Sequence, residues 1–205
     1  MQPSQDNDEL LEAFRALSTP LLSDNLNREP GAVGLRPFHK IEGVMVGRAL
    51  TVRTRSGDNL AIHKALELIK PGDVVVVAGG GDTSRALVGD IMTTIAASRG
   101  AAGMVLDGAI RDTGTIGRST FPCFARSAIH RGPYKNGPGE LNVAVSIGGL
   151  VINPGDIVVG DQDGIVAFPE SVATELLSAA KAQEKREEDM LKSIREGTYV
   201  GAYAK

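Results

Sequence analysis

A proline–glycine–aspartate turn followed by four valines, Pro71-Gly-Asp-Val-Val-Val-Val-Ala, constrains this chain more than any other feature. A continuous β-branched run with no polar residue alternating through it suits a strand buried on both faces, the environment of a parallel sheet covered on each side. The pattern returns as Pro154-Gly-Asp-Ile-Val-Val. Two copies are too few for a solenoid, so they are expected to start two similar strands within one domain. A chain of 205 residues is long enough for one domain with a substantial core, and residues 1–205 are read as that single domain.

Around this centre the apolar spacing alternates between helix and strand. Leu10, Leu11, Phe14 and Leu17 fall at helical intervals. Thr19-Pro20 opens a second short helix that Gly31 is expected to end. Gly43 to Arg55 reads as a strand, and Asp58 or Asn59 caps a helix carrying Leu60, Ala61, Ala65, Leu66, Leu68 and Ile69. A helix from Gly89 to Arg99 precedes a short buried strand, Met104-Val105-Leu106, with Asp107 to Asp112 read as the loop after it. From Phe121 onward short apolar stretches separated by Gly, Pro, Asn and Asp predict a run of strands. A helix over about 170–196 closes the chain, its second half too charged to be buried in its own monomer. The expected class is α/β.

Composition excludes several functions. A net charge of −3, eight aromatics without tryptophan, and no basic stripe leave neither a field for phosphate backbones nor stacking platforms for bases, so direct nucleic-acid binding is not expected. The single Cys123 rules out an intrachain disulfide and a Cys-based zinc site, and its apolar surroundings predict an inert buried thiol. No apolar run approaches ~18 residues and the first residues lack the basic and apolar stretches of a leader, so a cytoplasmic protein without membrane association is expected.

Candidate chemistry sits in two short segments. The glycines at 79, 80 and 81 follow a strand but complete neither a dinucleotide fingerprint nor a Walker motif. A helix starting at Gly89-Asp90 would leave the amides of Ile91 and Met92 at a positive helix end, where carboxylates bind; Asp90 as a simple cap is the plainer alternative. Arg111-Asp112 follows a buried strand, where α/β proteins place ligands. A carboxylate there can ligate a divalent cation, and the guanidinium can hold a substrate carboxylate or a developing oxyanion; a surface ion pair is the alternative. His39, His63 and His130 show no metal-ligand spacing and are read as structural or solvated, with His130 in its glycine-rich loop the one to watch.

Asp90, twenty intervening residues, then Arg111-Asp112 resembles the D-x20-R-D pattern of the class II, divalent-metal pyruvate aldolases that cleave 4-hydroxy-4-methyl-2-oxoglutarate and 4-carboxy-4-hydroxy-2-oxoadipate, a family that also holds the RraA-like regulators of ribonuclease activity. The resemblance runs from Leu17-Ser-Thr to the C-terminal helix and includes Gly103-Met-Val-Leu-Asp-Gly-Ala-Ile-Arg-Asp and the segment from Gly148 to Pro169. It implies a layered α/β/α fold of the swivelling β/β/α kind, assembled as a homotrimer or a hexamer. It implies that Asp112 ligates Mg²⁺ or Mn²⁺, that Arg111 contacts the pyruvyl group, and that Asp90 lies near a metal-bound water acting as acid and base. The substrate carboxylate would rest on the backbone after Gly89, at Ile91 and Met92. A glutamate from a neighbouring subunit's C-terminal helix would complete the site through water, placed at Glu187 with Glu188 and Glu184 as alternatives. The implied activity is cleavage of a 4-hydroxy-2-oxo acid to pyruvate, with oxaloacetate decarboxylation through the same enolate. The alternative is a regulator that binds and inhibits a ribonuclease; regulators need not keep the metal-binding aspartate, which is retained here.

Overall fold

The structure is a computed structural model that describes residues 5–28 and 31–201. In chain order the elements are α1 (Gln5–Phe14), α2 (Thr19–Asn25), β1 (Arg36–Pro37), β2 (Met45–Thr54), α3 (Leu60–Leu66), β3 (Asp73–Ala78), β4 (Ala86–Val88), α4 (Asp90–Ser98), β5 (Gly103–Ile110), α5 (Thr113–Ile116), β6 (Cys123–Ala128), β7 (Gly139–Leu141), β8 (Val145–Ile147), β9 (Leu150–Ile152), β10 (Ile157–Asp161), β11 (Gly164–Phe168) and α6 (Ala173–Arg195), the last entered through a 3-10 turn at Glu170–Val172. One nine-stranded mixed sheet runs in the order β1-β6-β5-β3-β2-β10-β11, with β4 also paired to β5 and β7 to β2.

The valine run lies at its centre as β3, between β2 and β5 and parallel to both. All four valines are fully buried, and they face two cores in alternation. Val75 and Val77 join Ile62, Leu66, Met92 and Ala96 under α3 and α4, whereas Val74 and Val76 join Val145, Ile147 and Ile152 of the β8–β9 hairpin. Burying each such side chain contributes about 1.5–3 kcal/mol. A third core packs Phe14, Leu17, Leu22, Leu176 and Ala180 against Ile157, Val159 and Phe168, seating α1, α2 and α6 on β10 and β11. Helices, main sheet and hairpin therefore form the layered α/β single domain that the sequence predicts, finished by the long C-terminal helix.

The repeated turn is a structural repeat. Gly72 and Gly155 take φ of 87° and 85°, which a Cβ would strain. Each following aspartate ties the turn down: Lys70 N donates to Asp73 at 2.8 Å, and Asn153 N to Asp156 at 2.7 Å. The two strands that follow, β3 and β10, flank β2 on its two edges.

Three local expectations differ. The second helix stops at Asn25, before Gly31, because Asn27 and Arg28 turn left-handed at φ near 55° and the Arg28 amide folds back onto Ser23 O. The strand expected over 104–106 continues to Ile110, so residues 107–110 are strand and not loop. Asp107 is tolerated inside it because Arg126 pairs with its carboxylate at 2.5 Å, while an irregularity between Leu106 and Ala109 absorbs the pairing to β6. The three-residue β4 was not foreseen.

Candidate active site

The register of β4 against β5 builds the site. Val88 pairs with Ile110, and Arg111 N donates to Val88 O at 3.0 Å, so the residues that leave the two strands, Gly89-Asp90 and Arg111-Asp112, emerge side by side. Helix α4 starts directly at Asp90, with Gly89 as its N-cap in extended conformation. Gly89 is needed for space and not for backbone freedom. A Cβ there would collide with Asp112 Oδ2 and lie 3.0 Å from Arg111 Cγ.

Asp112 is held in the left-handed region, at φ 59° and ψ 33°. That conformation costs about 1–3 kcal/mol for a non-glycine residue, and aspartate is among the side chains that tolerate it best. It turns the carboxylate back toward α4, where Oδ2 accepts the Asp90 amide at 3.1 Å and lies 3.6 Å from Arg111 Nε. The guanidinium of Arg111 extends toward Gly132, whose missing side chain leaves room for Nη1. Two clefts flank this pair. A small cavity of about 120 Å³ is walled by Gly89, Asp90, Ile91, Met92, Arg111 and Asp112 together with Asn59, His63, Pro133 and Lys135. A more open cleft of about 410 Å³ lies on the other side, along Arg111 to Gly114 and Ala128 to His130.

One sequence expectation is corrected here. The Met92 amide is not free for a ligand, because it already donates to Gly89 O at 3.1 Å as the first turn tightens. The Ile91 amide keeps no partner among the described residues. Met92 contributes its side chain to the cavity wall instead.

The donor set suits a hard divalent cation held by few protein ligands. Asp112 is partly exposed beside both clefts, and its Oδ1 makes no hydrogen bond among the described residues. Among those residues no group of three or more His, Cys, Asp or Glu is placed to hold a metal ion. The free Oδ1 of Asp112 is a hard oxygen donor of the kind Mg²⁺ accepts, an ion commonly bound through one or two carboxylates. No residue of α6 lines either cleft in its own chain, so Glu184, Glu187 and Glu188 stand apart from Asp112 within the protomer. Glu187 is exposed and accepts from Gln183 Nε2 at 2.8 Å, and Gln183 also bonds Asp24 and Asn25 of α2.

Sequence reasoning missed Asn59, His63 and Lys135. Asn59 and His63 sit one turn apart at the start of α3, with His63 N donating to Asn59 O at 3.0 Å. The i, i+4 spacing was visible, but which face of α3 meets α4 is a tertiary fact. Burial, together with the nearby charge of Lys135, holds the His63 imidazole below its ordinary pKa and hence neutral at pH 7. His130 lies in the open cleft beside Arg111. Cys123 is buried, and desolvation pushes its thiol up to about 12, as expected of an inert sulfur. Among the described residues no helix is long and apolar enough to cross a membrane.

The chain is similar to several known proteins. A relative from Halalkalibacterium halodurans named "Putative 4-hydroxy-4-methyl-2-oxoglutarate aldolase" is 38% identical over 192 residues, covering 93% of this chain and 91% of its own. An uncharacterised protein from Pseudomonas syringae pv. tomato superposes with a TM-score of 0.85 at 29% identity, covering 94% of this chain and 91% of that one. The RNA-processing inhibitor RraA from Thermus thermophilis superposes with a TM-score of 0.68 at 32% identity, over 75% of this chain and 93% of that one. The RraA-like family, described as Aldolase/RraA, matches residues 19–167, and the chain belongs to that family.

Proposed function

We propose that this protein is a divalent-metal-dependent lyase that cleaves 4-hydroxy-4-methyl-2-oxoglutarate, or a related 4-hydroxy-2-oxo acid, to pyruvate, and that it also decarboxylates oxaloacetate. One observation carries the reading. A strained aspartate, Asp112, presents its carboxylate beside the Arg111 guanidinium and the N-terminus of α4, all facing a cavity sized for a small acid.

Asp112 would hold Mg²⁺ or Mn²⁺, which when bound supplies Lewis-acid stabilisation of the negative charge that develops on the 2-keto oxygen. The chain's own groups do the rest. The Ile91 amide and the positive end of α4 receive the substrate carboxylate. Arg111 places its guanidinium against the 2-keto oxygen, where charge grows as the C3–C4 bond breaks. The 4-hydroxyl gives up its proton, C4 leaves as a carbonyl, and the electron pair of the broken bond forms the pyruvate enolate. Protonation of C3 then yields pyruvate. Asp90, at the rim of the cavity, is the carboxylate that orients the water exchanging these protons. Decarboxylation of oxaloacetate reaches the same enolate, with carbon dioxide as the leaving fragment.

The active unit is proposed to be a homotrimer or hexamer, in which Glu187 of one subunit reaches a neighbour's site through water, with Glu184 and Glu188 as alternatives. Support comes from the solvent-facing C-terminal half of α6, where Met190, Leu191 and Ile194 are all more than 40% exposed. The second reading, binding and inhibition of a ribonuclease, is supported by the likeness to the Thermus inhibitor. Retention of Asp112 favours the lyase.

The deciding experiment measures pyruvate release from 4-hydroxy-4-methyl-2-oxoglutarate and from oxaloacetate, with Mg²⁺ and with EDTA. Turnover with Mg²⁺ that EDTA abolishes is expected. No turnover with any divalent cation would sink the lyase reading.

A further inference from the structure

Arg111 supplies the guanidinium of the site, yet little holds it in place. Its one ionic contact among the described residues is Asp112, 3.6 Å from Nε, and its side chain is 44% exposed. A long side chain so placed samples many rotamers unless something walls it in. Gly132 is that wall: a Cβ added there would lie 3.2 Å from Arg111 Nη1. Gly132 is fixed in turn by Arg85, the residue before β4, whose Nη1 donates to Gly132 O at 2.8 Å.

Arg85 is half-buried and has no carboxylate partner among the described residues. Its guanidinium carbon lies 3.9 Å from the centre of the Tyr134 ring, and Nη2 donates to Tyr134 Oη at 2.9 Å. Gly57 makes room for it, since a Cβ there would lie 3.0 Å from Arg85 Cδ. The same backbone is held twice more, by Ala86 N donating to Arg131 O and Tyr134 N to Gly57 O, each at 2.8 Å. A partly desolvated cation is normally matched by an anion. Arg85 instead directs its planar fork at a carbonyl and a phenol, which fixes residues 132–134 and neutralises no charge. Because β4 leads from Arg85 to Gly89, one short strand carries this brace at its start and the site at its end.

We propose that Arg85 is a positioning residue that sets the Arg111 guanidinium, acting through the Gly132 backbone. It touches neither substrate nor metal; it keeps the wall beside Arg111 in place, so that the fork of Arg111 is already aimed when an acid arrives. This rests on the proposed function for the role of Arg111.

The test is a double-mutant cycle read by oxalate binding in calorimetry with Mn²⁺ present, in wild type, Arg85→Met, Arg111→Met and the double variant. Arg85→Met should weaken oxalate by about 10-fold, and the same change in the Arg111→Met background should cost less than about 2-fold, because the two residues act as a unit. Arg85→Lys, which still donates to Gly132 O, should recover part of the loss. Mn²⁺ affinity without oxalate, read by electron paramagnetic resonance, should stay at the wild-type value and shows that Asp112 and the fold survive. If Arg85→Met does not fold, Gly132→Ala replaces it in the cycle: its methyl group disturbs the same contact, and its loss should likewise vanish without Arg111. Wild-type oxalate affinity in the variant at this joint, or a loss of equal size in both backgrounds, overturns the proposal. Oxalate that fails to bind wild type overturns it together with the reading of the site. Oxalate that binds a protein unable to cleave 4-hydroxy-2-oxo acids sinks the lyase reading alone.

Discussion

The carboxylate of Asp112 accepts the backbone amide of Asp90 at 3.1 Å, joining the end of β5 to the first residue of α4. The contact ties together two segments far apart in sequence, and it does so from a left-handed backbone that only a few residue types adopt readily. Function and stability are therefore separable at this position.

Asp112→Gly and Asp112→Ala both remove the carboxylate, so both should abolish metal-stimulated pyruvate release. They should differ in stability, because glycine accepts φ 59° without strain and alanine does not. The glycine variant is expected to be the more stable by about 1 kcal/mol in chemical denaturation. Retained turnover in either variant would remove Asp112 from the site.

Gly89→Ala places a methyl group where the Asp112 carboxylate now lies. The backbone at Gly89 is extended and alanine can adopt it, so folding should change little while turnover falls at least 10-fold. A crystal structure of the variant with Asp112 unmoved and activity intact would refute this.

Arg111→Lys keeps a positive charge but loses the planar fork that matches a carboxylate or an enolate oxygen. A fall in kcat of about 100-fold or more is expected, of the size seen when one oxyanion donor is removed. Oxalate should inhibit the wild type competitively. Unchanged kcat in the lysine variant would assign Arg111 to mere charge balance.

Mixing two inactive proteins, Asp112→Ala and Glu187→Ala, should restore part of the activity once subunits exchange, because some mixed interfaces then carry both intact residues. If exchange is demonstrated by mass and no activity returns, the site is complete within one chain or another glutamate serves. Full activity in Glu187→Ala alone would direct attention to Glu188 or Glu184.

Cys123 should resist alkylation in the folded state at pH 8 and react only on unfolding. Its thiol, raised to about 12, stays protonated in the fold at pH values where the unfolded chain, with an ordinary value near 9.0, has already released the proton. The unfolded state then binds fewer protons, so this group leaves stability untouched below about 9 and lowers it as pH rises from there toward 12. Cys123→Ala should flatten that alkaline decline; an identical decline in the variant would assign it to other groups.

The central strands, the order of helix and strand, and the Asp90, Arg111 and Asp112 positions were legible because each rests on a local pattern: a valine run, a glycine at a helix start, an Arg-Asp pair after an apolar strand. What was not legible depends on partners distant in sequence. Asp107 looks like a loop residue until Arg126 neutralises it within β5. The three residues of β4 are too few to show a period, yet their pairing with β5 sets the site. His63 and Asn59 read as an ordinary helix start, and only the packing of α3 beside α4 brings these residues to a cavity wall.

The twin turns at Gly72 and Gly155 have a consequence for how the chain is made. They deliver β3 and β10 to opposite edges of β2, but β3 follows β2 closely whereas Ile157, the partner of Arg48, comes only near the end. During synthesis one edge of β2 can pair early while the other waits for most of the chain to leave the ribosome. Such long-range closure slows folding, and an unpaired edge strand invites pairing with another nascent copy. A ribosome-stalled chain ending before residue 157 would thus be the species most in need of a chaperone.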